Sequence, residues 1–151
     1  VMTVNVAGTV RVSLRAGQSM IKAGYGRIVN VASVSAERAG IGRTAYGTSK
    51  AAMIGLTKHL SMELGPFGIT ANSVAPGPVL TPMTEASYTA ETIEAYISMI
   101  PARRLGVLED MTASILFLLS EGAAYINGAY LPVDGGYLAS GVARTGSGVS
   151  F

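Results

Sequence analysis

Three short runs rich in β-branched residues constrain this chain more than any other feature. They are Arg27-Ile-Val-Asn-Val-Ala-Ser33, Ile69-Thr-Ala-Asn-Ser-Val-Ala75 and Tyr130-Leu-Pro-Val133. Each reads as a strand, and the intervals between them are long enough to hold helices. Parallel strands need crossover connections of that length, so the alternation predicts an α/β chain with a layered, parallel sheet.

Helical periodicity fills the intervals. Residues 3–22 read as a helix, with Val4, Val10, Leu14 and Ile21 as its apolar positions and Gly24 to stop it. A polar loop over 35–43 precedes a long helix to about Leu64, with Thr44 as its expected cap; Gly65-Pro66-Phe67-Gly68 ends it. Pro76-Gly77-Pro78 closes the second strand, helices are predicted at 84–99 and 107–121, and Asp134-Gly-Gly136 closes the third strand. Residues 1–138 therefore read as one α/β portion, followed by a glycine-rich tail at 139–151.

Composition removes several function classes. Of 151 residues 49% are hydrophobic and 13% charged, far from a disordered profile. No apolar run reaches the ~20 residues a membrane-spanning helix requires, so no membrane partner is expected. Eight Arg and three Lys are scattered against nine acidic residues, and a net charge of +2 does not point to nucleic acid. Cysteine is absent and His59 is the single histidine, which leaves no expected metal site and fits a reducing cytoplasm.

Tyr46 and Lys50 are four residues apart on the predicted long helix, one turn apart on one face. A phenol, with an ordinary pKa of ~10, is a poor proton donor or acceptor at neutral pH, and an ammonium beside it favours the phenolate. That spacing also arises by chance in exposed helical pairs. Ser33, thirteen residues earlier, ends the first strand, and ligands of open α/β sheets bind outside the carboxyl ends of the strands. Asn5 lies on the preceding helix.

In this order Asn5, Ser33, Tyr46 and Lys50 resemble the catalytic set of the short-chain dehydrogenase/reductase family. The runs Gly26-Arg-Ile-Val-Asn-Val-Ala-Ser33, Ala45-Tyr-Gly-Thr-Ser-Lys-Ala-Ala52, Gly68-Ile-Thr-Ala-Asn-Ser-Val-Ala-Pro-Gly77 and Tyr130-Leu-Pro-Val-Asp134-Gly-Gly136 are similar to it as well. The overall look is nearest to 3-oxoacyl-carrier-protein reductases and to sugar or polyol dehydrogenases.

The resemblance implies a Rossmann-type fold with a doubly wound parallel sheet, and hydride transfer between NAD or NADP and a small-molecule carbonyl or secondary alcohol. Tyr46 would pass a proton to or from the substrate oxygen, and Ser33 would hold that oxygen. Lys50 would tune Tyr46 and bind the nicotinamide ribose, while Asn5 would hold a water linking Lys50 to solvent. Pro76, Gly77, Val79 and Thr81 would join Tyr46 and Lys50 at the cofactor. Ser35, Tyr88, Tyr96 and Met99 are candidates for substrate contact. Family members usually pair through the Tyr-x-x-x-Lys helix and the helix before it, so a homodimer or homotetramer is expected of the full-length protein.

The resemblance also defines a departure. Family members open with a strand, a glycine-rich turn and a helix that hold the cofactor pyrophosphate, and no such segment precedes Asn5 in the 151 residues. The expectation is a catalytic C-terminal portion lacking the N-terminal dinucleotide-binding half. The alternative is a non-catalytic remnant serving as an association module.

Other motifs read more plainly. Gly40-Ile-Gly42-Arg-Thr-Ala45 loosely matches a dinucleotide loop but does not directly follow a strand, so it reads as a loop over the site. Ser19-Met-Ile-Lys22 reads as a solvated helix face and His59 as a surface or interface residue. Glu109-Asp110 complements a helix N-terminus, and Met53, Met62, Met83 and Met99 read as core or substrate-loop packing.

Overall fold

The computed structural model describes residues 1–141. Strands β1 (Gly26–Val31), β2 (Ile69–Pro76) and β3 (Tyr130–Val133) form one sheet in the order β1-β2-β3. Both pairings are parallel, with Gly26 opposite Ile69, Val31 opposite Val74, Ser73 opposite Tyr130 and Pro76 opposite Val133. All three strands therefore end on one side of the sheet, where Ser33, Gly77 and Asp134 follow them.

The central strand β2 is buried from Ile69 to Ala75 even though Thr70, Asn72 and Ser73 lie within it. Partners make that burial tolerable. Asn72 Nδ2 donates to the Ile126 carbonyl at 2.7 Å and its Oδ1 accepts from the Ala129 N–H at 2.9 Å, while Ser73 Oγ donates to the Ala129 carbonyl at 3.1 Å. These bonds tie the approach to β3 onto β2.

Helix α1 (Thr9–Ala23) precedes β1, and α2 (Thr44–Leu64) links β1 to β2. Leu60 and Leu64 of α2 pack with Ile69 and Ala71 of β2, and Met53 packs with Ala32 and Ala75. Between β2 and β3 come α3 (Pro82–Ser87), α4 (Ala90–Met99) and α5 (Leu108–Leu119). A third cluster of Val34, Ile100 and Tyr137 seats the end of α4 beside the loop after β1. No helix among the described residues is long and apolar enough to cross a membrane.

Four sequence expectations change. The helix expected at 3–22 begins as a π-helical turn, Thr3–Gly8, before α1. Thr44 is the first residue of α2 rather than its cap; Arg43 holds the cap position without a side-chain cap bond. The helix expected at 84–99 is broken because Tyr88 is extended and Thr89 starts a new helix, its hydroxyl accepting from the Thr92 N–H at 3.2 Å. The first strand ends at Val31, and Ser33 already caps the turn Val34–Ala36. Of the tail expected at 139–151, the part from 142 onward lies outside the described residues.

Candidate active site

A cleft of about 460 Å³ opens where β1 and β2 end, and Ser33, Tyr46 and Lys50 all line it. Ser33 is brought there by the chain leaving β1 in an extended conformation; its Oγ accepts the Ser35 N–H at 3.1 Å. That bond leaves the hydroxyl hydrogen free to be donated. Tyr46 and Lys50 project from the first two turns of α2, and the Lys50 ammonium lies 5.8 Å from the Tyr46 ring centre. Lys50 Nζ donates to the Val31 carbonyl at 2.8 Å, which leaves two of its three N–H groups for other acceptors.

Helix α2 can come this close to the β1 loop because residue 47 is glycine. A Cβ there would sit 2.7 Å from the Ser35 carbonyl oxygen. Gly77 serves a second approach: its Cβ would sit 2.8 Å from Asp134 Cα, and its N–H donates to the Val133 carbonyl at 3.0 Å. Pro76, Gly77, Val79 and Thr81 line the same cleft. Gly106 fixes their loop, donating its N–H to the Pro78 carbonyl and accepting from the Leu80 N–H, each at 2.9 Å. The Thr81 hydroxyl is engaged in capping α3, where it accepts the Thr84 N–H at 3.2 Å.

Asn5 does not line the cleft. Its Nδ2 donates to Ser49 Oγ at 3.0 Å, and Ser49 Oγ donates to the Tyr46 carbonyl at 2.7 Å. Asn5 thereby reaches α2 through Ser49, a fully buried residue that the motif reading passed over. Its signal was position: three residues after Tyr46, and so on a neighbouring part of the helix face.

Ser35, Tyr88 and Tyr96 line the cleft, whereas Met99 packs on the Val34–Ile100–Tyr137 cluster and its sulfur accepts from Arg38 at 3.7 Å. Tyr88, Tyr96 and Tyr137 form an aromatic wall with ring centres 5.5 and 6.1 Å apart. Two arginines also border the cleft and were missed as site residues. Arg38 lies over the Tyr137 ring at 4.3 Å and donates to the Tyr137 carbonyl at 2.8 Å. Arg43 lies 5.5 Å from the centre of the Tyr46 ring. Its place three residues before Tyr46 could have flagged it.

The electrostatics separate the tyrosines. Burial pushes the Tyr130 phenol up to about 12, helped by Glu37 and Asp134, and its hydroxyl is near the Ser33 carbonyl at 3.4 Å. Burial and Tyr96 also push the Tyr88 phenol up, against the pull of the Arg43 guanidinium. Burial opposes the Arg43 charge, yet the adjacent Tyr88 hydroxyl holds its pKa above the ordinary value. Both phenols therefore stay protonated donors.

A family model described as enoyl-(acyl carrier protein) reductase matches residues 1–138. The chain belongs to the short-chain dehydrogenase/reductase family. It is 45% identical over 138 residues to a 3-oxoacyl-[acyl-carrier-protein] reductase, MabA, of Mycobacterium avium, covering 90% of this chain and 53% of that protein. A (3R)-3-hydroxyacyl-CoA dehydrogenase of Canis lupus familiaris is 40% identical over 137 residues, with 90% and 52% covered. The crystal structure of a gluconate 5-dehydrogenase from Burkholderia cenocepacia J2315, in complex with NADP and tartrate, superposes with a TM-score of 0.89 at 32% identity, covering 92% of this chain and 55% of that one. The chain thus spans about half the length of the curated relatives it matches. The α/β parallel sheet of the sequence expectation is the sheet of this family member.

Proposed function

We propose that the protein is an NAD(P)-dependent oxidoreductase interconverting a carbonyl and a secondary alcohol, with Tyr46 as general acid and base. The observation that carries this reading is the opening of Ser33, Tyr46 and Lys50 into one cleft at the carboxyl ends of parallel strands. In the reductive direction Tyr46 donates its hydroxyl proton to the carbonyl oxygen, and Ser33 Oγ–H holds that oxygen in place. Lys50, one turn on from Tyr46, offers its free N–H groups to ribose hydroxyls. Asn5 acts from behind α2, and its Oδ1 remains to hold a water on a proton path from Lys50.

The cleft suits the nicotinamide end of a dinucleotide. No Asp or Glu lines it, Lys50 supplies a cation, and the loop at Pro76, Gly77, Val79 and Thr81 offers backbone groups. When bound, the nicotinamide supplies or accepts the hydride. NADP in the gluconate 5-dehydrogenase complex and the carbonyl or hydroxyl substrates named for the relatives support the same reading. The glycine-rich strand–turn–helix expected for the pyrophosphate is not among the described residues, so those residues account for the catalytic end of the cofactor site alone.

Association of copies belongs to this proposal. Leu14 and Ile21 of α1 are exposed and border a groove with Leu60 and Leu64 of α2, on the two helices through which the family pairs. Incubation with NADH or NADPH and a panel of ketones tests the activity. We expect ketone-dependent loss of the reduced cofactor with formation of a secondary alcohol; no oxidation of either cofactor across the panel would contradict the reading.

A further inference from the structure

We propose that Arg43 is a specificity-determining residue that binds a carboxylate of the substrate, so that the substrates are oxo acids or hydroxy acids of a few carbons. This rests on the oxidoreductase reading of the cleft and adds the substrate class to it. Arg43 holds the cap position of α2, just ahead of Tyr46 and Lys50 on its first two turns, with the two cations 5.5 and 5.8 Å from the centre of the Tyr46 ring. Lys50 turns back to β1, where it donates to the Val31 carbonyl. Arg43 lies on the opposite side of Tyr46 along the helix, beside Tyr88 and facing the aromatic wall. An anion held there would be only a few bonds from an oxygen at Tyr46.

Among the described residues no carboxylate pairs with Arg43. None of the described residues lining the cleft carries a carboxylate, and the two ion pairs found among the described residues are Arg27–Glu121 and Arg104–Asp110. Arg38, by contrast, is occupied: it stacks on Tyr137 and donates to the Tyr137 carbonyl and to Ser140 Oγ. One half-buried guanidinium with one neutral phenol, Tyr88, matches the single charge of a carboxylate. The planar fork of an arginine suits its two oxygens.

Binding of 4-oxopentanoate and of its uncharged methyl ester, by calorimetry on the protein with and without NADP, tests this directly. Wild type is expected to bind the acid roughly tenfold more tightly than the ester. In Arg43→Gln the acid-to-ester ratio is expected to collapse toward one, and Arg43→Lys to keep part of it. Equal binding of acid and ester by wild type, no binding of either, or a preference that survives Arg43→Gln overturns the proposal. Turnover separates this from the activity itself. A carboxylate preference in binding with no reduction of any ketone leaves the anion site standing and counts against the oxidoreductase reading. Reduction of acid and ester with equal kcat/KM sinks the anion site and leaves the activity.

Discussion

The Asn5 side-chain amide donates to the buried hydroxyl of Ser49 at 3.0 Å, joining the π-helical turn before α1 to the helix that carries Tyr46 and Lys50. The hydroxyl passes the connection on to the Tyr46 carbonyl at 2.7 Å. Asn5→Ala and Ser49→Ala should each cost about 1 kcal/mol, since each leaves a polar group short of its partner. The double variant should cost less than the two added together, by about 1 kcal/mol. Urea unfolding of the four proteins checks this, and strict additivity would show that the contact carries no coupling.

Gly47→Ala places two effects in opposition. Alanine favours a helix over glycine by about 1 kcal/mol. The new Cβ, however, meets the Ser35 backbone oxygen at 2.7 Å, and neither α2 nor the β1 loop can yield without shifting Tyr46 against Ser33. Overpacking of this kind costs about 1–3 kcal/mol, so the net change should be destabilising. Activity should fall with it, whereas Gly55→Ala, with nothing within 4 Å, should leave stability unchanged or raised. Thermal melts and turnover of the two variants decide the matter.

Asn72→Ala removes the donor to the Ile126 carbonyl and the acceptor of the Ala129 N–H. Two half-buried backbone groups then lose their partner, at a cost of about 1–3 kcal/mol. Because these bonds secure the approach to β3, amide exchange should accelerate over 126–133 before it does in β1. Uniform acceleration across the sheet would contradict this role.

Arg104 grips Asp110 through two bonds of 2.7 and 2.9 Å, and the Val107 N–H adds a third at 2.9 Å. Arg104 first, and then Val107, hold the Asp110 carboxyl down at about 2. A carboxyl whose folded pKa lies below its unfolded value of ~3.9 contributes stability above that pH and loses it as the pH falls toward the folded value. Asp110→Asn should therefore flatten the fall in melting temperature between about pH 4 and pH 2. An unchanged slope would show that the pair is not coupled to folding.

The strands were legible because β-branched runs such as Ile28-Val29 and the segment ending at Val74 carry their signal locally. Tyr46, Lys50 and Ser33 were legible because a helix spacing and a strand end place them. The break at Tyr88 has no glycine or proline to mark it within 84–99, although Thr89 was available as a cap. The π-helical turn at Asn5 and the burial of Ser49 depend on contact between two helices far apart in sequence, which no local pattern carries. Arg43 carries no periodic signal, because it falls in the Gly40–Ala45 run and holds the cap position of α2 rather than lying within it.

Tyr46→Phe tests the central claim most directly. It removes one hydroxyl from a half-buried ring and leaves the hydrogen-bonded contacts of α2 intact. Loss of a positioned acid–base group lowers turnover by about 10²–10⁴-fold. The account predicts that loss, at an unchanged melting temperature, in the ketone reduction measured with wild type. Near-normal turnover by a folded Tyr46→Phe protein would contradict it.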